Sequence, residues 1–99
     1  MEKLFTYGTL QDRHIQQKLF GRALVGEEGT LENYVLSTIR IDGEEYSIAV
    51  FKSGEQVSGV VYDLNPTELK SADKYEGKSY KRIKTKLLSD AESWVYVLA

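Results

Sequence analysis

Val35-Leu36-Ser37-Thr38-Ile39-Arg40-Ile41, then Asp42-Gly43, then Glu44-Glu45-Tyr46-Ser47-Ile48-Ala49-Val50-Phe51-Lys52 is the stretch whose reading decides the fold. Two runs rich in β-branched and aromatic residues flank an Asp-Gly pair. A type I′ turn needs positive φ at both central positions, and Asp-Gly supplies them, so the stretch reads as a hairpin of Val35–Ile41 and Glu45–Lys52. A hairpin in mid-chain argues for antiparallel neighbours rather than a doubly wound βαβ arrangement.

Working outward, Ser53-Gly54-Glu55 reads as a turn. Gln56–Leu64 reads as a further strand, rich in Val57, Val60, Val61 and Tyr62 and interrupted by Gly59. On the other side, Arg22–Leu31 holds Ala23, Val25 and Leu31 broken by Gly26 and Gly29; interior glycines of this kind mark bulges or corners in a bent strand. Asp12–Phe20 reads as a short helix with Ile15 and Leu19 one turn apart, Thr9 or Asp12 as its N-cap and Gly21 at its C′ position. Lys3–Thr6 is the first strand. Asn65-Pro66-Thr67-Glu68 starts a second helix: Asn65 caps, Pro66 fits the first helical position, and Glu68 stands where a capping box wants an acid. That helix carries Leu69 and Ala72 inward, runs to about Tyr75 and stops at Gly77. Tyr80–Leu88 alternates Ile83, Thr85 and Leu87 with Arg82, Lys84 and Lys86, and Trp94–Leu98 is the last strand. The order β-α-β-β-β-β-α-β-β is α+β, and the glycines at 26, 29, 43, 54 and 59 suit a strongly bent sheet curled towards a barrel.

Composition narrows the function classes. Ninety-nine residues are expected to form one domain, residues 1–99. An apolar fraction of 41% and an aromatic fraction of 11% belong to a globular chain. With no cysteine there is no disulfide framework, thiolate metal site or cysteine nucleophile, and the one histidine, His14, cannot build a multi-histidine metal site. Met1-Glu2-Lys3 leads directly into a strand with no apolar leader, and no run approaches membrane-spanning length. The expectation is a cytoplasmic protein without a membrane partner. A net charge of −2 gives no reason to expect nucleic acid.

Two places invite chemistry. In Leu4-Phe5-Thr6-Tyr7-Gly8-Thr9-Leu10 a strand meets a helix start through a glycine turn. Gly8 permits backbone dihedrals closed to other residues and lets a ligand approach the main chain. The unpaired N–H groups and partial positive charge of the helix start suit a carboxylate or phosphate; the rival reading is an ordinary tight turn. The second place is Glu76, an acid beside the C-terminal glycine of a helix. The negative end of the helix dipole opposes a charge there by about 0.3–1 kcal/mol. The same field raises the pKa, which suits a general base. Its rival reading is a solvated glutamate beside a helix cap.

Tyr7-Gly8-Thr9-Leu10, taken with Ala72-Asp73-Lys74-Tyr75-Glu76-Gly77 and Tyr80-Lys81-Arg82, resembles the γ-glutamylcyclotransferase-like family, including its γ-glutamylamine cyclotransferases and small AIG2-like proteins. Trp94-Val95-Tyr96-Val97 looks like that family's closing strand, so the resemblance spans nearly the whole chain. It implies a small, strongly bent mixed β-barrel of six to seven strands with two short flanking helices and a cavity at the first-strand loop. Carried over by position, the catalytic acid falls on Glu76 and the substrate-binding loop on Tyr7, Gly8, Thr9 and Leu10. Beside the resemblance, Tyr80 and Arg82 could touch substrate, since a guanidinium suits a carboxylate, the rival reading being a half-exposed strand pair. The implied reaction cyclises a small-molecule γ-glutamyl substrate to 5-oxoproline with release of its amine, without a cofactor. A second reading keeps the same cavity in a catalytically silent binding module.

The chain departs from the family pattern at Tyr46-Ser47, where many relatives carry Tyr-Pro, and at Ala72, where they carry Leu. It also ends directly after its last strand, where longer relatives add residues over the cavity. An open pocket suited to a bulky leaving amine, or weak activity, is the expectation. The basic run Lys78, Lys81, Arg82, Lys84 and Lys86 reads as a solvated edge, with a nucleic-acid stripe as the lesser alternative.

Overall fold

The computed structural model describes residues 1–99. In chain order it holds β1 (Glu2–Thr6), a 3₁₀ turn (Thr9–Gln11), α1 (Arg13–Phe20), β2 (Gly26–Ile41), β3 (Glu44–Leu64), α2 (Pro66–Glu76), β4 (Tyr80–Lys86) and β5 (Glu92–Leu98). The strands form one mixed sheet in the order β2-β3-β1-β5-β4, and β3 also pairs with β5. The architecture is the expected α+β one, a sheet curled into a half-barrel with two α-helices. No helix is long and apolar enough to cross a membrane.

The strand count is five rather than six to seven. Both breaks marked in the sequence are bends inside continuous strands. The register of β2 on β3 slips between Glu32 and Tyr34, where Asn33 takes φ 66°. Opposite it, Gly54 takes φ 87° and its N–H donates to the Asn33 side-chain oxygen at 3.1 Å. Two left-handed residues tied across the ladder bend both strands together, so neither turns back. The predicted hairpin is correct, with Ile41 opposite Glu44 and positive φ at Asp42 and Gly43. Arg22–Val25 is not strand; β2 begins at Gly26.

The 21-residue β3 therefore serves two neighbours besides β2. Its C-terminal half runs antiparallel to β1, from Glu2 opposite Leu64 to Thr6 opposite Val60. Its N-terminal half meets β5 in parallel at Ala49 and Val97. β1 also lies parallel to β5, at Leu4 and Trp94. Closing the sheet on itself buries β1 and β5 on both faces. Phe5, Val95 and Val97 point into the curl with Leu31, Ala49, Val57 and Leu87. Leu4 and Tyr96 point outward with Leu64 of β3, under Leu10, Leu69 and Ala72 of the helical layer. A side chain such as Phe5 or Leu4, each 1% exposed, contributes about 1.5–3 kcal/mol through burial.

Both helices are capped by their own sequence. Asp12, not Thr9, caps α1, accepting the N–H groups of His14 and Ile15. Asn65 and Glu68 form the reciprocal capping box of α2. Glu68 does a second job: Arg22, just past α1, places Nε and Nη2 on its two carboxylate oxygens at 2.8 and 3.0 Å and so ties the helices together.

Gly59 allows β1 to lie this close to β3. A Cβ there would collide with the Thr6 carbonyl oxygen and the Phe5 ring. Gly59→Ala is expected to push β1 off its partner and cost about 1–3 kcal/mol, as overpacking does. In a domain of this size that lowers Tm by roughly 4–8 °C per kcal/mol. An unchanged melting curve would show that β1 moves freely.

Candidate active site

The open end of the curl forms a cavity of about 620 Å³. One wall is the exit of β1, Phe5 to Leu10. A second is the end of α2 and the turn beyond it, Tyr75 to Tyr80. A third is the end of the β2–β3 hairpin, with Ile41, Asp42, Glu45, Tyr46 and Ser47, and Tyr96 of β5 completes the lining. Six residues singled out in the sequence, Tyr7, Gly8, Thr9, Leu10, Glu76 and Tyr80, border this one space.

Local chemistry delivers Glu76 there. It is the last residue of α2, and Gly77 follows with φ 78°, a conformation that L side chains rarely adopt. The Gly77 N–H closes the helix on the Asp73 carbonyl at 3.1 Å. Chain direction reverses within this turn, leaving Glu76 half-buried at the cavity and Tyr80 already in β4. Its carboxyl has no hydrogen-bond or ion-pair partner in the protein, and burial raises its pKa to about 7. The cause is desolvation, acting in the same direction as the helix-dipole effect expected from the sequence.

The cavity's tyrosines are otherwise engaged. The Tyr7 hydroxyl donates to the Tyr96 carbonyl at 2.7 Å and that of Tyr80 to the Ser47 carbonyl at 3.0 Å. Tyr96 donates to Asp73 at 2.7 Å, Tyr46 to Glu44 at 2.8 Å, and Tyr75 shares a hydrogen bond with Thr9 at 2.8 Å. Burial pushes the Tyr7, Tyr80 and Tyr96 hydroxyls up, and the nearby Glu76 charge adds to each rise. For Tyr96, the bond to the Asp73 carboxylate follows burial as the second cause. These hydroxyls are walls and ties. Glu76 is the half-buried acid of the cavity left without a partner.

The loop opposite differs from its sequence reading in two ways. Gly8 takes φ −142°, so positive φ is not why glycine stands there; a Cβ would meet nothing within 4 Å, and the glycine leaves open space. The N-terminus of α1 is occupied by the Asp12 carboxylate, so any cradle belongs to the short 3₁₀ turn instead. Within that turn Gln11 and Asp12 donate back to the Gly8 and Thr9 carbonyls. The N–H groups of Gly8, Thr9 and Leu10 take no part in the loop hydrogen bonds, as the start of a helical turn dictates. The side chains of Gln11 and Gln16 brace the loop by donating to the Thr6 and Leu10 carbonyls at 2.9 and 2.8 Å.

Arg82 lies away from the cavity lining and grips Asp73 with Nε and Nη2, both at 2.9 Å, its guanidinium 4.3 Å from the centre of the Trp94 ring. Sequence reasoning assigned no site role to Asp73 or Tyr75 and read the hairpin acids Glu44 and Glu45 as solvated. Asp73 left a signal: an acid on the buried side of a helix needs a cation, and Arg82 is the one guanidinium in a run of lysines.

The family model described as "Gamma-glutamyl cyclotransferase, AIG2-like" matches residues 4–99. No curated protein matches the chain. Among solved structures, an Arabidopsis thaliana protein solved in solution superposes with a TM-score of 0.81 at 20% identity, over 98% of this chain and 61% of its own. A gamma-glutamyl cyclotransferase superposes at 0.82 and 18% identity, over 99% of this chain and 66% of its own. An uncharacterized protein of Pyrococcus horikoshii gives 0.72 at 18%, over 99% and 78%. At these identities the likeness speaks for the fold, and the chain spans less than two thirds of the length of the first and second of these.

The raised carboxyl makes stability depend on pH. Between its ordinary value of 4.5 and about 7, the folded protein holds a proton at Glu76 that the unfolded chain has released. Stability from this group is therefore fully present below 4.5 and is lost as pH rises through about 7. Glu76→Gln is expected to melt higher than the parent at pH 8 and close to it at pH 4. Parallel melting profiles across that range would mean that the carboxyl is solvated.

Proposed function

The chain belongs to the AIG2-like gamma-glutamyl cyclotransferase family, and from that premise we propose that it cyclises a γ-glutamyl amine or peptide to 5-oxoproline, with Glu76 as the proton carrier. The observation that carries this reading is a half-buried carboxyl without a partner, sharing one cavity with a loop whose N–H groups are free.

The chemistry is an intramolecular aminolysis. The substrate's α-amine nitrogen attacks its own γ-amide carbon, forming the new C–N bond of a five-membered lactam. Only the free base attacks, and an α-amine is mostly protonated at neutral pH. Glu76 as carboxylate takes a proton from the attacking nitrogen. As carboxylic acid it returns that proton to the leaving nitrogen, and the old C–N bond breaks. A group whose pKa lies near the working pH serves both steps, and burial to about 7 suits Glu76 to both.

Attack also builds negative charge on the carbonyl oxygen. In this reading the Gly8, Thr9 and Leu10 N–H groups answer negative charge on the substrate, at that oxygen or at its α-carboxylate. Tyr7 and Tyr80 serve as rigid walls that fold the substrate into its attack geometry, the larger part of catalysis when both reacting groups sit on one molecule. No step calls for a cofactor. A cytoplasmic location belongs to the same reading and rests on the cysteine-free composition.

The test is production of 5-oxoproline from a panel of γ-glutamyl amines and peptides. The parent protein is expected to form product, and Glu76→Gln to lose roughly 100-fold or more in kcat, the scale of acid–base contributions. Saturable ligand binding without product across the panel would assign the silent binding module instead.

A further inference from the structure

Nothing bonded to Glu76 sets its direction, so its aim must come from the element that carries it. One turn earlier on α2, Asp73 is in the opposite situation. It accepts two N–H bonds from Arg82 at 2.9 Å each and the Tyr96 hydroxyl at 2.7 Å. Burial alone would raise its pKa, but those bonds outweigh burial and hold the carboxyl below its usual range. Arg82 is itself held against Trp94, whose indole N–H donates to Glu2 at 2.8 Å. The last turn of α2 is thus tied to β4, β5 and the start of β1.

Tyr96 is engaged from both ends. Its hydroxyl binds Asp73 on α2, and its main-chain carbonyl accepts the Tyr7 hydroxyl at the start of the glycine loop. The two walls that carry the proposed acid and the free N–H groups are therefore referenced to one residue of a buried central strand.

We propose that Asp73 and Tyr96 are positioning residues: with Tyr7 they form a bracket that sets how far Glu76 stands from the Gly8–Leu10 loop. The consequence for turnover rests on the cyclotransferase reading; the consequence for the geometry does not. Neither residue needs to exchange a proton with substrate. Their work is to remove the freedom of a helix end that stops at a glycine and would otherwise fray. Misplacement of a reacting group by about 1 Å can cost on the order of 100-fold in rate.

Tyr96→Phe deletes one hydroxyl, keeps the ring and the carbonyl, and leaves Asp73 its Arg82 partner, so the fold is expected to survive. Asp73→Asn is the harsher companion. In both, kcat for 5-oxoproline formation is expected to fall at least 10-fold with KM changed less than about threefold. The decisive readout is titration of Glu76 by carbon NMR with labelled glutamate. The titratable groups that share its cavity are Tyr7 on the loop, Asp42, Glu45 and Tyr46 on the hairpin, Lys78 and Tyr80 beyond Gly77, and Tyr96 itself, of which Tyr7, Tyr80 and Tyr96 feel its charge. Tyr96→Phe removes no charge, so the Glu76 titration in that variant is the one that judges the bracket; Asp73→Asn also deletes a negative charge one turn from Glu76 on α2. A loosened helix end admits water, so the Glu76 pKa should drop from about 7 towards 4.5, and the ascending limb of the pH–rate profile should move down with it. A change that merely lowers stability leaves both where they were. Folded variants with the parent Glu76 titration and parent kcat overturn the bracket. If the parent protein makes no 5-oxoproline, the cyclotransferase reading fails, and the NMR titration still judges the bracket.

Discussion

A single long strand has to satisfy three neighbours, and the rest of the molecule follows from that demand. β3 pairs with β2 along most of its length, with β1 through its last five residues and with β5 at Ala49. A straight strand cannot do this. The bend comes from the left-handed pair Asn33 and Gly54, and the close seating of β1 from the missing side chain at Gly59. Once β3 bends, the sheet curls, β1 and β5 are buried on both faces, and the end of the curl is left hollow. The cavity is thus a by-product of sheet closure, bordered by whatever the chain places at the ends of β1, α2 and the hairpin.

That hollow sorts two carboxyls on the same helix into different states. Asp73 and Glu76 are three residues apart and both are only partly exposed. Burial pushes each of them up. Asp73 overcomes it through a guanidinium fork and a phenol, while Glu76 meets no donor and stays raised. The first is suited to hold structure and the second to exchange protons near neutral pH. The contrast depends on one arginine among lysines. Lysine offers a point charge, whereas the planar guanidinium reaches both oxygens of Asp73 and stacks on Trp94.

Much of this was legible in the chain. Asp-Gly between two β-rich runs marked the hairpin, Asn65-Pro66-Thr67-Glu68 marked the start of α2, and Gly77 marked its end. Each of these signals acts within a few residues, through φ preferences and capping bonds. Segmentation failed where a local signal had two solutions. Gly54 with positive φ can end a strand or bend it, and only the Asn33 side chain on the neighbouring strand decides between them. The glycine loop was located correctly, but its mechanics were not. Asp12 turned out to consume the N-terminus of α1, leaving the free donors on a three-residue turn.

By itself the sequence determined the α+β class, both helices, the capping box of α2 and the central hairpin, because periodicity and turn chemistry are written in short windows. Tertiary structure alone decided the number of strands, the burial that raises the Glu76 pKa to about 7 and the pairing of Asp73 with Arg82 and Tyr96. Those depend on desolvation and on contacts between residues far apart in the chain. Burial is a property of the closed sheet, and no window of sequence contains it.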